Sequence, residues 1–177
     1  MNTPITIGIS ACLFGQNTRY DGGHRHEPLL VEALGQSVAL VPLCPECDCG
    51  LGVPREPMRL EGDPENPRLM TITTRSDLTG RLRSWSVQRL ATLKDEGIGG
   101  LILKSRSPSC GRRVAVYETG SGETPIAYSP GLFARLVMER FPGLPIGDEE
   151  ELRDPARLND FLNRLTADAQ DTQEKQR

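Results

Sequence analysis

Two short apolar runs do most to constrain this fold. Val38–Leu43 is almost unbroken in apolar side chains, and Gly100–Leu103 repeats the pattern later in the chain. A strand with one wet face alternates apolar and polar residues, whereas a strand covered on both faces has no polar side to show. Strands of that kind belong to parallel sheets, whose members are joined by long crossovers, usually helices. The neighbouring sequence supplies both. Ile5–Ser10 alternates and is rich in β-branched residues, which predicts a first strand. Pro28–Leu34 reads as a short helix closed by Gly35, and Leu82, Trp85, Leu90 and Leu93 mark a helical face that ends at Gly97. Ser129 and Pro130 predict a helix start, an N-cap followed by proline in the first turn, with the helix running over Leu132–Phe141. Leu69–Thr73 is expected as a short strand and Leu144–Ile146 as a fourth sheet strand. Asp154 and Pro155 open a last helix with Leu158, Phe161, Leu162 and Leu165 on one face. Proline and glycine crowd the stretch from Cys44 to Pro67, which is expected to be a long irregular loop.

Strands alternating with helices predict an α/β fold: a single compact Rossmann-like domain over residues 1–166, with a mostly parallel sheet and helices on both faces. Residues 167–177 are polar without an apolar face and are expected to form a disordered tail. A length of 177 residues suits one domain, and the formal net charge of -3 offers no basic surface of the kind nucleic acid requires. The first residues carry no basic, apolar leader, and no stretch approaches the ~20 apolar residues needed to span a bilayer. The expectation is a soluble cytoplasmic protein with a small-molecule partner and neither nucleic acid nor membrane; a homodimer is the assembly considered. There are five cysteines. An odd number in such a chain argues against a disulfide framework and for metal ligands or reactive thiols.

Three of those cysteines fall at strand ends. Cys12 lies just after the first strand, Cys44 ends the second, and Cys110 follows Gly100–Leu103 by one loop. In a parallel sheet these ends share one edge, and ligands bind outside the carboxyl ends of such strands. Three remote thiols are therefore expected to meet, and three thiolates at one crevice suit a soft metal centre or an iron–sulfur cluster with one coordination position left open. Burial as plain apolar cysteines is the competing reading. Cys44 and Cys47 also form a Cys-x-x-Cys, and Cys49 adds a third thiol nearby, so a local cluster of Cys44, Cys47 and Cys49 with one distant residue stays open.

Glu46 beside this edge is a candidate for proton transfer, against the alternative of a solvated loop glutamate. Lys104, Ser105, Arg106, Ser107 and Ser109 crowd donors into one loop ahead of Cys110, able to fix a polar heterocycle or an anion or simply to face solvent. Arg19 and Tyr20 precede an Asp21-Gly22 turn and could bond or stack on a planar ligand. His24 and His26 read as surface residues rather than ligands, and Trp85 as packing on its helix.

Taken together these segments resemble the TudS-like family, which includes thiouracil desulfurases. The resemblance rests on Ile9–Gly15 with Arg19–Gly22, on Cys44-Pro45-Glu46 with Gly50–Arg55, and on Leu103–Gly111, and it spans about residues 5–146. It implies a Rossmann-like domain holding a 4Fe–4S cluster on Cys12, Cys44 and Cys110, and loss of sulfur from a thiolated base with a carbonyl oxygen in its place. It further implies Glu46 in proton transfer and a serine of the third motif in catalysis, Ser107 first and Ser105 next, with Arg19, Tyr20, Lys104 and Ser109 binding substrate. The chain departs from the family pattern at Cys47 and Cys49, where small or apolar residues are usual. A metal- or redox-sensing cysteine module without catalysis and a thiol–disulfide oxidoreductase using Cys44 and Cys47 are the competing functions.

Overall fold

The computed structural model describes residues 5–120 and 122–174, the side chains of Lys94 and of 168–174 apart. In chain order the elements are β1 (Ile5–Ser10), α1 (Pro28–Gly35), β2 (Val38–Leu43), α2 (Pro45–Asp48), β3 (Met58–Glu61), β4 (Arg68–Thr71) and α3 (Thr79–Asp95). They continue with β5 (Ile98–Leu103), β6 (Val114–Tyr117), β7 (Pro125–Ser129), α4 (Leu132–Arg140), β8 (Ile146–Asp148), α5 (Glu149–Leu152) and α6 (Pro155–Glu174).

The main sheet has the order β2-β1-β5-β8, and every pair in it is parallel. Its apolar runs serve both faces, as their continuity predicted. Leu43, Leu101 and Leu103 pack with Leu90 and Leu93 of α3 and with Phe133 and Val137 of α4. Ile7, Ile9 and Ile102 point the other way, toward Leu30 and Leu34 of α1 and Phe161 and Leu165 of α6. Gly100 sits where α6 presses closest: a β-carbon there would lie 2.5 Å from the Leu165 side chain.

A second, mixed sheet of order β4-β3-β6-β7 stands beside the first. Leu60, Leu69, Val114 and Val116 bury it against Leu82 of α3 and Leu132 of α4, so two helices serve both sheets. Of this layer the sequence announced only β4, expected over Leu69–Thr73 and found at Arg68–Thr71. The stretch Cys44–Pro67, expected to be irregular, holds the one-turn helix α2 and the strand β3. β3, β6 and β7 run for only four or five residues, too few for an alternating pattern to stand out.

Two boundaries also move. The fourth strand of the main sheet is Ile146–Asp148, placed by pairing Leu101 with Ile146, rather than Leu144–Ile146. Ser129 does not cap α4, whose N-cap is Gly131. The first amides of α4 find acceptors in the loop after β5 instead: Leu132 donates to the Pro108 carbonyl at 3.1 Å, and Phe133 to that of Ser109 at 3.0 Å. Those are the groups a helix leaves unpaired at its start, so no side-chain cap is needed. A β-carbon at Gly131 would come within 2.7 Å of the Ser109 backbone, which is why glycine stands there. Of residues 167–177, those to 174 continue α6 and 175–177 lie outside the described residues. No helix among the described residues is long and apolar enough to cross a membrane.

Candidate active site

The carboxyl ends of β1, β2 and β5 are knitted together by hydrogen bonds from backbone amides. The amide of Ala11, just past β1, donates to the carbonyl of Leu43 at 2.8 Å. The amide of Lys104, just past β5, donates to the hydroxyl of Ser10 at 2.8 Å. Cys12, Cys44 and Cys110 follow these ends, and all three line one cavity of about 510 Å³. Glu46, Ser105, Ser107, Arg19, Tyr20 and Lys104 line it as well. Nine of the ten residues singled out from the sequence thus share one space. The tenth, Ser109, lies behind the wall and is 1% exposed.

The thiols are held against ionisation. Burial raises the Cys12 pKa, and burial pushes Cys44 up to about 12 despite a hydrogen bond from the Cys47 amide. Cys110 is raised well above its ordinary value by burial and then by the negative charges of Cys44, Glu46 and Cys12 around it. Thiols of this kind give up their protons when a bound cation replaces the lost hydration. Among the described residues no three His, Cys, Asp or Glu side chains close on a point as the ligands of a single ion would. Cysteine thiolates are the ligands of iron–sulfur clusters, and Cys12, Cys44 and Cys110 are the residues of this wall that would hold one.

Cys47 and Cys49 are not among the residues that line the cavity. Cys47 Sγ donates to the carbonyl of Thr18 at 3.5 Å and accepts from Arg55 at 3.7 Å. Cys49 Sγ donates to the carbonyl of Glu46 at 3.2 Å, and its side chain packs against the apolar cluster around Leu60 and Leu82. Of the local set, Cys44 and Cys47 share the Thr18 carbonyl, with Cys44 Sγ at 4.0 Å from it, whereas Cys49 lies apart.

Both oxygens of the Glu46 carboxylate are engaged. Ser109 Oγ donates to Oε1 at 2.7 Å, and Arg55 Nε donates to Oε2 at 2.9 Å with a second guanidinium N–H on the same oxygen. The loop after β5 is fixed as tightly. Ser107 Oγ accepts the amides of Ser109 at 3.3 Å and Cys110 at 3.1 Å. Lys104 Nζ donates to Glu149 Oε1 at 2.5 Å and to the carbonyl and hydroxyl of Ser105 at 3.0 Å each, which uses all three of its N–H bonds. The Ser105 hydroxyl donates in turn to Glu149 at 2.6 Å. Burial works against the charged form of Glu149, but the bonds from Lys104 and Ser105 outweigh it and its pKa is lowered.

Two residues of this network escaped sequence reasoning as site residues. Arg55 was legible only as part of a motif. Glu149 begins α5 right after β8, the fourth parallel strand, so a carboxylate at the end of a fourth strand was the signal available. Arg25 also lines the cavity, its backbone amide bound to the Cys12 carbonyl at 2.8 Å. Arg19 lies over the Tyr20 ring at 5.3 Å and pairs with Asp21 at 3.3 Å, while the Asp21 side chain accepts the Gly23 amide at 3.0 Å to close the turn. His24 and His26 are exposed and absent from the cavity wall, and Trp85 packs 5.7 Å from the Phe133 ring.

The family model for 2-thiouracil desulfurase matches residues 7–149. The uncharacterized protein YbbK of Bacillus subtilis (strain 168) is 30% identical over 153 residues, covering 84% of this chain and 98% of that protein. The solved structure of a [4Fe-4S]-dependent thiouracil desulfidase, TudS, superposes with a TM-score of 0.65 at 30% identity, covering 84% of this chain and 93% of that one.

Proposed function

The chain belongs to the 2-thiouracil desulfurase family, and from that premise we propose that it removes sulfur from a thiolated pyrimidine or similar thioamide, releasing sulfide and the oxo product. The observation that carries the reading is the meeting of Cys12, Cys44, Cys110 and Glu46 on one cavity wall. Cys12, Cys44 and Cys110 would hold a 4Fe–4S cluster, as the likeness to a [4Fe-4S]-dependent desulfidase supports. When bound, the cluster would supply an iron without a protein ligand, soft enough to favour departure of sulfur.

The remaining work falls to the chain's own side chains. Loss of sulfur with gain of oxygen is net hydrolysis, so water must lose a proton. Glu46 is the carboxylate on the wall, held in place by its pairing with Arg55, and a positioned carboxylate is a group that can accept one. Of the candidate serines, Ser105 spends its hydroxyl proton on Glu149 and Ser109 spends its own on Glu46. Ser107 accepts two amides, and no acceptor among the described residues takes its proton, which leaves Ser107 to donate to the substrate. Arg19 and Tyr20 at the mouth offer a cation and a ring face for a planar base. Lys104, its donors committed, acts by fixing the loop that carries Ser107 and Cys110. A cavity of about 510 Å³ has room for both a cluster and a pyrimidine ring.

The test is direct. Protein reconstituted with iron and sulfide under anaerobic conditions is given 2-thiouracil, and uracil and sulfide are measured. Equal amounts of both are expected. Loaded protein that yields neither from 2-thiouracil nor from other thiopyrimidines ends the reading.

A further inference from the structure

The guanidinium of Arg55 has five N–H bonds, and every one of them finds an acceptor. Nε and one Nη2 proton go to Glu46 Oε2, and the other Nη2 proton goes to the Thr18 carbonyl at 2.9 Å. Nη1 donates to the Gly52 carbonyl at 3.2 Å and to Cys47 Sγ at 3.7 Å. The pair is largely closed to solvent, with side-chain exposures of 11% for Arg55 and 12% for Glu46. A planar donor set satisfied on every edge has one position available to it, and it joins the loop after β1, the helix α2 and the turn at Gly52.

The acceptor side is unequal. A carboxylate oxygen offers about two lone-pair sites. Both sites of Glu46 Oε2 are taken by Arg55, whereas Oε1 holds one partner, the Ser109 hydroxyl. We propose that Oε1 of Glu46 is the atom that exchanges the proton during desulfuration, and that Arg55 is the positioning residue that makes it so. The inference rests on the desulfurase reading above and adds which oxygen acts and what orients it. It also gives Cys47, a departure from the family pattern, a role beside Cys44: its sulfur completes the shell of Arg55.

The experiment compares Arg55→Ala and Arg55→Lys with the unchanged chain, all loaded with cluster and matched for iron and sulfide per chain. Arg55→Ala is expected to lower kcat roughly tenfold to hundredfold with KM little changed, because a displaced catalytic group loses rate rather than affinity. Arg55→Lys keeps the charge without the fork and should fall between. Added guanidinium should restore part of the Arg55→Ala turnover, a rescue that a merely structural role would not show. In cluster-free protein, the carboxylate stretch of Glu46, identified by subtracting the Glu46→Gln spectrum, should shift in both Arg55 variants. Unchanged kcat, or a Glu46 band that stays in place, overturns the proposal. Absence of turnover in the loaded, unchanged chain would instead remove the desulfurase reading, and this inference with it.

Discussion

Ser109 and Glu46 stand 63 positions apart in sequence, yet the Ser109 hydroxyl donates to Glu46 Oε1 at 2.7 Å inside the protein. Ser109 lies on the loop after β5 and Glu46 on α2, so the bond ties the ends of β5 and β2 together at the cavity. Ser109→Ala would leave a buried carboxylate oxygen without its donor. Stability should fall by about 1–3 kcal/mol in urea titrations, and turnover should fall with it. Unchanged stability would show that water replaces the hydroxyl at no cost.

The three cysteines of the cavity wall and the two outside it should behave differently. Cys12→Ala, Cys44→Ala and Cys110→Ala are each expected to lose the brown colour and most of the iron after anaerobic reconstitution. Cys49→Ala, whose sulfur packs on the second sheet, should keep both. Retention of iron in all three wall variants would place the metal elsewhere.

Lys104 and Glu149 form an ion pair whose partners are 18% and 3% exposed. Removing one partner strands the other, so Glu149→Ala should cost about 3–5 kcal/mol of unfolding free energy. Replacing both residues by methionine should recover much of that loss. If the single change costs nothing, the pair does not hold the loop after β5.

Acid should weaken the second sheet through Glu61. Its carboxylate is fully buried and takes Arg75 and Arg59, with bonds of 2.6 and 2.7 Å to Oε1. The Arg75 bonds, then the Arg59 bonds, overcome burial and hold its pKa at about 2, below the ordinary 4.5. The folded state therefore binds this proton less readily than the unfolded chain. The stabilisation is present in full above 4.5 and is lost as pH falls toward about 2. Unfolding midpoints measured down this range should drop, and Glu61→Gln should flatten that part of the curve while lowering stability at neutral pH.

Much of the core and the whole cysteine wall could be read from the chain alone. Apolar runs without alternation imply strands covered on both faces, such strands imply a parallel sheet, and the sheet brings its carboxyl ends to one rim. Cys12 and Cys44 follow from that reasoning because each comes within two residues of a strand end, and Cys110 because the loop after β5 carries it. The partners of those residues do not follow. Arg55 on Glu46, Ser109 behind Glu46 and Glu149 under Lys104 are set by strand register, by the approach of α4 to the loop after β5, and by how the Gly50–Arg55 turn folds back. Local sequence decides period, caps and turns because those depend on neighbours within a few residues. Which donor meets which acceptor across tens of residues depends on distances that exist only once the sheets have packed.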